Sequence, residues 1–146
     1  WIFVTGGCRR REIYNPLRCA LRELEEETRG VVSLKRGEYT EFSFIHRESP
    51  TVELVYNVYV FFVNYKRTDQ QQMIKKFNDE KTKTNLKKIN KEPIKKTYDE
   101  NDFMSFDTLE EFNTRKRWDL IVHNVIQNPE FYSCVTSLNR KTFGIK

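Results

Sequence analysis

Residues 15–30 leave the chain little choice of local structure. Asn15 can accept a hydrogen bond from an amide of a first helical turn, Pro16 suits the first helical position because it has no amide to leave unpaired, and Gly30 supplies a stop beside Arg29. These signals predict a helix from about Pro16 to Thr28. At about 100° per residue, Leu17, Ala20, Leu21, Leu24 and Thr28 form one apolar stripe, and Glu23, Glu26 and Glu27 collect on its flank. Their i, i+3, i+4 spacing sets three like charges within one turn, and each neighbouring pair costs a few tenths of a kcal/mol in an isolated helix. Glu25, Glu26 and Glu27 also occupy the last turn, where the helix dipole disfavours anions by about 0.3–1 kcal/mol per charge. Arg22, one turn from Glu26, offsets only part of this. A hard divalent cation would satisfy the cluster, since Mg2+ prefers carboxylate oxygens; a solvated acidic face is the alternative. Glu25 falls about 100° or more from the other three acids, on another side of the helix.

The rest of the chain is mixed. Trp1 to Thr5 is β-branched and aromatic and stops at Gly6-Gly7, which reads as a strand entering a glycine turn. With no initiator Met, further strands are expected to precede Trp1. Tyr39 to His46 and Val52 to Asn64, separated by Glu48-Ser49-Pro50, read as an antiparallel pair, and Val58 to Val63 is apolar on both faces, as in a central strand. Phe103 to Phe106 reads as a short strand, and Thr108 to Phe112 as a turn into helix. A last helix is expected from about Thr114 to Gln127, with Trp118, Ile121, Val122 and Val125 facing the core and His123 at the surface. Strands and helices without regular alternation give an α+β class, and 146 residues suit one domain, 1–146.

Charge is unevenly spread. From Lys66 to Lys96 eleven basic residues face four acids, so on a net charge of +5 the remainder of the chain is mildly acidic. We treat 66–97 as a basic insertion, in which Met73, Ile74 and Phe77 can form a short apolar patch on a helix from about Gln70. It is either a solvated, partly mobile loop or a surface for a polyanion such as RNA, since neutralising phosphates releases counterions. Three cysteines without paired spacing and two histidines, His46 and His123, argue against a disulfide framework, a zinc site or a nucleophilic triad, and suggest a reducing compartment. The longest apolar run is far too short to span a bilayer and no leader precedes it, so a cytoplasmic protein with no membrane partner is expected.

The stretch from Gly6 to Val31 resembles the box Gly-x5-Glu-x7-Arg-Glu-apolar-x-Glu-Glu-x-Gly of the Nudix hydrolases. Gly6 and Glu12 match its opening, and Arg22-Glu23-Leu24-Glu25-Glu26-Glu27 matches its helical centre. Nine residues rather than seven separate Glu12 from Arg22, which puts the role of Glu12 in doubt, and the closing glycine is Gly30, one place late, with Arg29 in its usual position. Further on, Phe106 to Phe112 resembles the family's Trp-x-Ser-Leu-Glu-Glu-like stretch, with Phe for Trp, and Glu100 stands six residues before it.

The resemblance implies an α/β/α sandwich with a mixed central sheet, and a metal-dependent hydrolase of pyrophosphate bonds. It implies that Glu23, Glu26 and Glu27 bind Mg2+ or Mn2+, that Arg22 orients Glu23 or Glu26, and that Glu100 binds a second metal or activates water. Metal ions would neutralise the pyrophosphate and acidify the attacking water, and a carboxylate would take its proton. Arg9, Arg10 and Arg11 follow the glycine turn and suit a phosphate-rich ligand, although a solvated loop fits as well. With Lys83, Lys87, Lys88 and Lys91 they favour an extended polyanion. The whole is similar, weakly, to the messenger-RNA decapping branch, including enzymes of large DNA viruses. Capped RNA is then the expected substrate, with Tyr14, Tyr39 and Phe44 as candidates to stack on the cap. Diphosphoinositol polyphosphates come second and ADP-ribose or dinucleoside polyphosphates third. An inactive RNA-binding module on the same fold is the alternative from another class.

Overall fold

The computed structural model describes residues 3–35, 37–119 and 122–143. It is a mixed α+β chain of two compact units. One unit is Val4–Lys35 with Asn64–Thr114. It opens on a 3₁₀ turn, Arg10–Glu12, and helix α1, Pro16–Glu27. The predicted cap is present: Asn15 Oδ1 accepts from the Arg18 amide at 3.2 Å. At the other end Thr28 Oγ1 donates to Leu24 O at 2.7 Å and accepts from the Val32 amide at 3.1 Å, so the chain leaving the helix is stitched back to it. Arg29 and Gly30 both take positive φ, and their amides donate to Glu26 O and Glu25 O, the paired bonds of a Schellman end. Arg29, not Gly30, therefore fills the position where glycine is most at ease. In the predicted apolar stripe Leu17, Ala20, Leu21 and Leu24 are half-buried and Thr28 is buried, joined by buried Cys19.

Most of the basic segment is helical: the helix expected from about Gln70 is present and longer, 23 residues, as α2, Arg67–Ile89. The Lys66 amide donates to Asp69 Oδ2 at 2.9 Å to begin it, and Lys91 at positive φ ends it. Phe77, from the short apolar patch, is 0% exposed and anchors an otherwise polar helix. After a 3₁₀ turn, Lys96–Tyr98, the expected strand at Phe103–Phe106 does not form. The backbone just before it is engaged by side chains instead of a ladder: Asn101 O accepts from Arg29 and Asp102 O from Lys81. Thr108 then starts helix α3, Leu109–Thr114, its Oγ1 accepting from the Glu111 amide at 3.1 Å.

The other unit holds Phe3 and the described residues of 37–63 and 115–143. Strands β1, Tyr39–Ser49, and β2, Val52–Phe61, form an antiparallel hairpin in the register Thr40↔Val60, Phe42↔Val58, Phe44↔Tyr56 and His46↔Leu54, with a bulge at Glu48. These pairs share the more buried face; on the other, Ile45 and Val55 are exposed. The expected antiparallel pair is thus present. Among the described residues, however, the sheet has two strands, and β2 pairs with β1 alone rather than lying centrally. A lone hairpin is marginal in water. Helix α4, Pro129–Phe143, packs on both strands and buries Cys134 and Leu138.

Three expectations fail or fall outside the description here. The Trp1–Thr5 strand begins outside the described residues, and Phe3 to Thr5 is not strand. The Thr114 to Gln127 helix is broken: α3 ends at Thr114, and a π-helical turn, Val122–Ile126, follows. Its wider i→i+5 winding shifts the phase of a 3.6-residue stripe. Trp118, in the irregular stretch between α3 and that turn, is 45% exposed, Ile121 lies outside the described residues, and Val125 is buried as expected, with Ile126 beside it. His123 is exposed, as expected, and sits 3.2 Å from Gln127 Oε1.

Candidate active site

The carboxylates of α1 are not a solvated face. The side chains of Glu23 and Glu26 are 12% and 11% exposed. Arg22 joins them to the preceding loop. Its Nε donates to both oxygens of Glu12 at 2.9 and 3.0 Å, its Nη1 lies 2.9 Å from Glu26 and 3.0 Å from Glu23, and its Nη2 donates to Gly7 O at 3.0 Å. Glu12 ends the 3₁₀ turn, and despite the longer spacing its carboxylate meets Arg22 of α1. Arg22, with the Arg9 amide at 3.0 Å, lowers the Glu12 pKa to about 2. Glu12 is shielded mainly by these partners rather than by depth.

Gly6 is required by close approach. A Cβ there would run into the carboxyl group of Glu23, whereas one at Gly7 would meet nothing within 4 Å. Cys8 is disulfide-bonded to Cys19 of α1, their Cα atoms 5.3 Å apart. This corrects the expectation of unpaired cysteines: the glycine turn folds residues 6–9 back along α1, so two cysteines separated by eleven residues in sequence meet. Cys134 is free and buried.

Glu27 is poorly compensated. It accepts only a long bond, 3.3 Å, from the Thr5 amide, and among the described residues no basic side chain lies within ion-pair distance. Burial, then the charges of Glu23, Glu100 and Glu26, push its pKa up to about 7 against the Thr5 bond. Burial also raises Glu23, with Arg22 opposing and Glu26 and Glu100 adding to the shift. Glu100 is thus close enough to the helix acids for its charge to be felt. Its neighbours are tied down: Tyr98 Oη donates to Glu25 Oε1 at 3.0 Å, Asn101 Nδ2 to Glu27 O at 3.3 Å, and Lys88 pairs with Asp99.

Glu12, Glu23 and Glu26 are therefore gathered around Arg9 and Arg22, and Glu27 and Glu100 are close enough to Glu23 for their charges to be felt. Among the described residues no three carboxylates converge closely enough to hold an ion in this arrangement. The reason is visible: Glu26 is turned to Arg9 and Arg22, and Glu23 to Arg22. Hard oxygen donors with excess negative charge nevertheless fit Mg2+ or Mn2+ chemically. The Arg9 side chain is half exposed and can leave Glu26.

The other predicted site residues divide. Arg9 pairs with Glu26 rather than standing free for phosphate, while Arg10 and Arg11 are exposed on the 3₁₀ turn. On α2, Lys83 is exposed beside Glu80, and Lys87, with Lys91 just beyond the helix, is also exposed. Lys88 is committed to Asp99. Of the cap-stacking candidates, Tyr14 is 99% exposed, and Tyr39 and Phe44 lie in the hairpin, stacked on Phe61 and Tyr56. Sequence reading missed Thr5, Tyr98, Asp99, Asn101 and the buried Arg29, all of which act through contacts between distant segments. The displaced glycine at Arg29 is the one signal that pointed to any of them.

No family model, curated protein or solved structure matches the chain.

Proposed function

We propose that this chain is a metal-dependent hydrolase of pyrophosphate bonds of the Nudix type, acting on 5′-capped RNA. The observation that carries the reading is Glu27, a half-buried carboxylate with no basic side chain in ion-pair distance among the described residues, beside Glu23, Glu26 and Glu100 on a scaffold set by Gly6 and Arg22. A solvated acidic face has no use for such burial. The sandwich with a mixed central sheet belongs to the same proposal; the hairpin would be part of that sheet. So does a cytoplasmic location, which one disulfide does not decide. Among the described residues no helix is long and apolar enough to cross a membrane.

Glu23, Glu26 and Glu27 would hold the ion, which supplies charge neutralisation to the pyrophosphate and acidity to water. The chain's own contributions follow from its contacts. Arg22 keeps Glu23 and Glu26 in place and Glu12 keeps Arg22 in place. Arg9, released from Glu26, can meet a substrate phosphate. Water attacks phosphorus, its proton passes to the Glu100 carboxylate, and the bond to the departing phosphate oxygen breaks.

The test incubates the protein with capped RNA, a diphosphoinositol polyphosphate and ADP-ribose, each with Mg2+ or Mn2+, and identifies products. A nucleoside diphosphate cap fragment with 5′-monophosphate RNA is the expected result. Turnover of none of the three would sink the hydrolase reading, and turnover of ADP-ribose alone the RNA assignment. Replacing Lys83, Lys87 and Lys91 with Gln should weaken long capped RNA and lower its salt slope by about 2, at about 0.7 per single-strand phosphate. A short cap dinucleotide should be cleaved as before.

A further inference from the structure

We propose that Arg29 is the positioning residue for Glu100: from the left-handed turn that ends α1 it clamps Asp99 and Asn101, and so holds Glu100 against the acids of the helix. The inference rests on the hydrolase reading and extends it to a residue outside the metal-binding trio.

Arg29 stands at φ 55°, a conformation that disfavours any side chain and that Gly30 next to it adopts freely. Its guanidinium is 3% exposed and lies over the ring of Phe77, 5.3 Å from its centroid. Two of its nitrogens, Nε and Nη1, are buried without a hydrogen-bond partner among the described residues. Backbone strain, a buried charge and unmet donors all oppose Arg at this position. The interactions that offset them go to one place: Nη2 donates to Asn101 O at 2.7 Å and pairs with Asp99 Oδ1 at 3.3 Å, the two residues that flank Glu100.

Other ties to this segment are weaker candidates for control. Tyr98 holds Glu25 from the side before it, and Asn101 Nδ2 reaches the last carbonyl of α1, Glu27 O. Lys88 reaches Asp99 from α2 but is 47% exposed, so water screens it. Arg29 is buried and grips both neighbours of Glu100. Phe77 beneath it makes α2 a backstop for the clamp, which gives the long basic helix a structural role besides its exposed lysines.

The test uses the whole chain with the polyphosphate that wild type hydrolyses, and the variants Arg29→Gly, Arg29→Lys, Glu100→Gln and Arg29→Gly with Glu100→Gln. Glycine suits the helix end, so folding is retained, and lysine keeps the charge with fewer donors. Glu100→Gln should lose about 100-fold in kcat, the lower range for a lost general base. Arg29→Gly should lose about 10–100-fold in kcat, the effect of a misplaced group, with KM within about twofold. The double variant should be no slower than Glu100→Gln alone, and Arg29→Lys should recover part of the loss. Independently of activity, amide hydrogen exchange over 98–103 should quicken about tenfold or more in Arg29→Gly while α1 amides keep their protection. Additive losses in the double variant, unchanged kcat in Arg29→Gly, or exchange that quickens equally through α1 would overturn the clamp. An inactive wild type would overturn the hydrolase reading instead, and the exchange measurement would still decide whether Arg29 holds the segment.

Discussion

Replacing Glu27 with glutamine keeps an oxygen to accept from the Thr5 amide and removes the charge that the site leaves uncompensated. The folded-state pKa of Glu27, about 7, lies above the ordinary 4.5. Its favourable contribution is therefore fully present below pH 4.5 and is lost as pH rises through 7, where the native state must ionise a half-buried acid. At about 1.4 kcal/mol per unit the interval corresponds to roughly 3 kcal/mol, which solvent contact reduces to about 1–2. In metal-free buffer at pH 8 the Glu27→Gln protein should be more stable than wild type by that amount, a rise of about 3–6 °C in Tm for a chain of this size. At pH 4, where both side chains are neutral in the folded state, the two should melt together. Thermal unfolding followed by circular dichroism at the two pH values measures this directly. Adding Mg2+ should raise the wild-type Tm and leave the variant almost unmoved, and hydrolysis by the variant should fall about 100-fold or more. Equal stability at pH 8 would refute the burial of Glu27. Wild-type turnover in the variant would refute its place at the metal.

Gly6→Ala should displace the Glu23 carboxylate and cost about tenfold or more in turnover, while Gly7→Ala, whose Cβ meets open space, should be silent; equal effects at both would mean that close approach to Glu23 is irrelevant. Glu12, held near 2 by Arg22, contributes stability that is present above pH 4.5 and lost as pH falls through 2. Acid unfolding should accordingly be steeper in wild type than in Glu12→Gln, and identical acid limbs would remove Glu12 from the Arg22 network. Reducing the Cys8–Cys19 bond frees a loop of eleven residues' separation, worth about 3 kcal/mol by chain entropy, so dithiothreitol or Cys8→Ser should lower Tm. An unchanged Tm would show that the loop is held by Arg22 alone.

Local chemistry carried much of this protein in readable form. Asn15-Pro16 at one end and the Arg29-Gly30 pair at the other define α1, because capping and positive φ are decided within a few residues. The periodicity that set Glu23, Glu26 and Glu27 on one flank and Glu25 on another follows from helix geometry, and Tyr98 receives Glu25 accordingly. Tyr39 to His46 and Val52 to Asn64 were legible as an antiparallel pair, while the register, Thr40 opposite Val60 and Phe44 opposite Tyr56, came from the structure. Asn128-Pro129 carries the same starting signal as Asn15-Pro16, the Glu130 amide donating to Asn128 Oδ1, and marks α4 just where the expected last helix stops.

What local chemistry could not decide was which distant groups meet. A polar run of lysines looks alike whether it is a loop or a helix, and only the burial of Phe77 under Arg29 makes α2 part of the fold. Phe103 to Phe106 has strand composition, but a strand needs a partner, and side chains of Arg29 and Lys81 engage the carbonyls beside it. Whether an acid is solvated or uncompensated depends on its surroundings rather than its neighbours in sequence. Arg22 reaching back to Glu12, the Gly6 backbone closing on Glu23, and Asn101 arriving from more than seventy residues away turn an acidic helix flank into a cluster partly shielded from water.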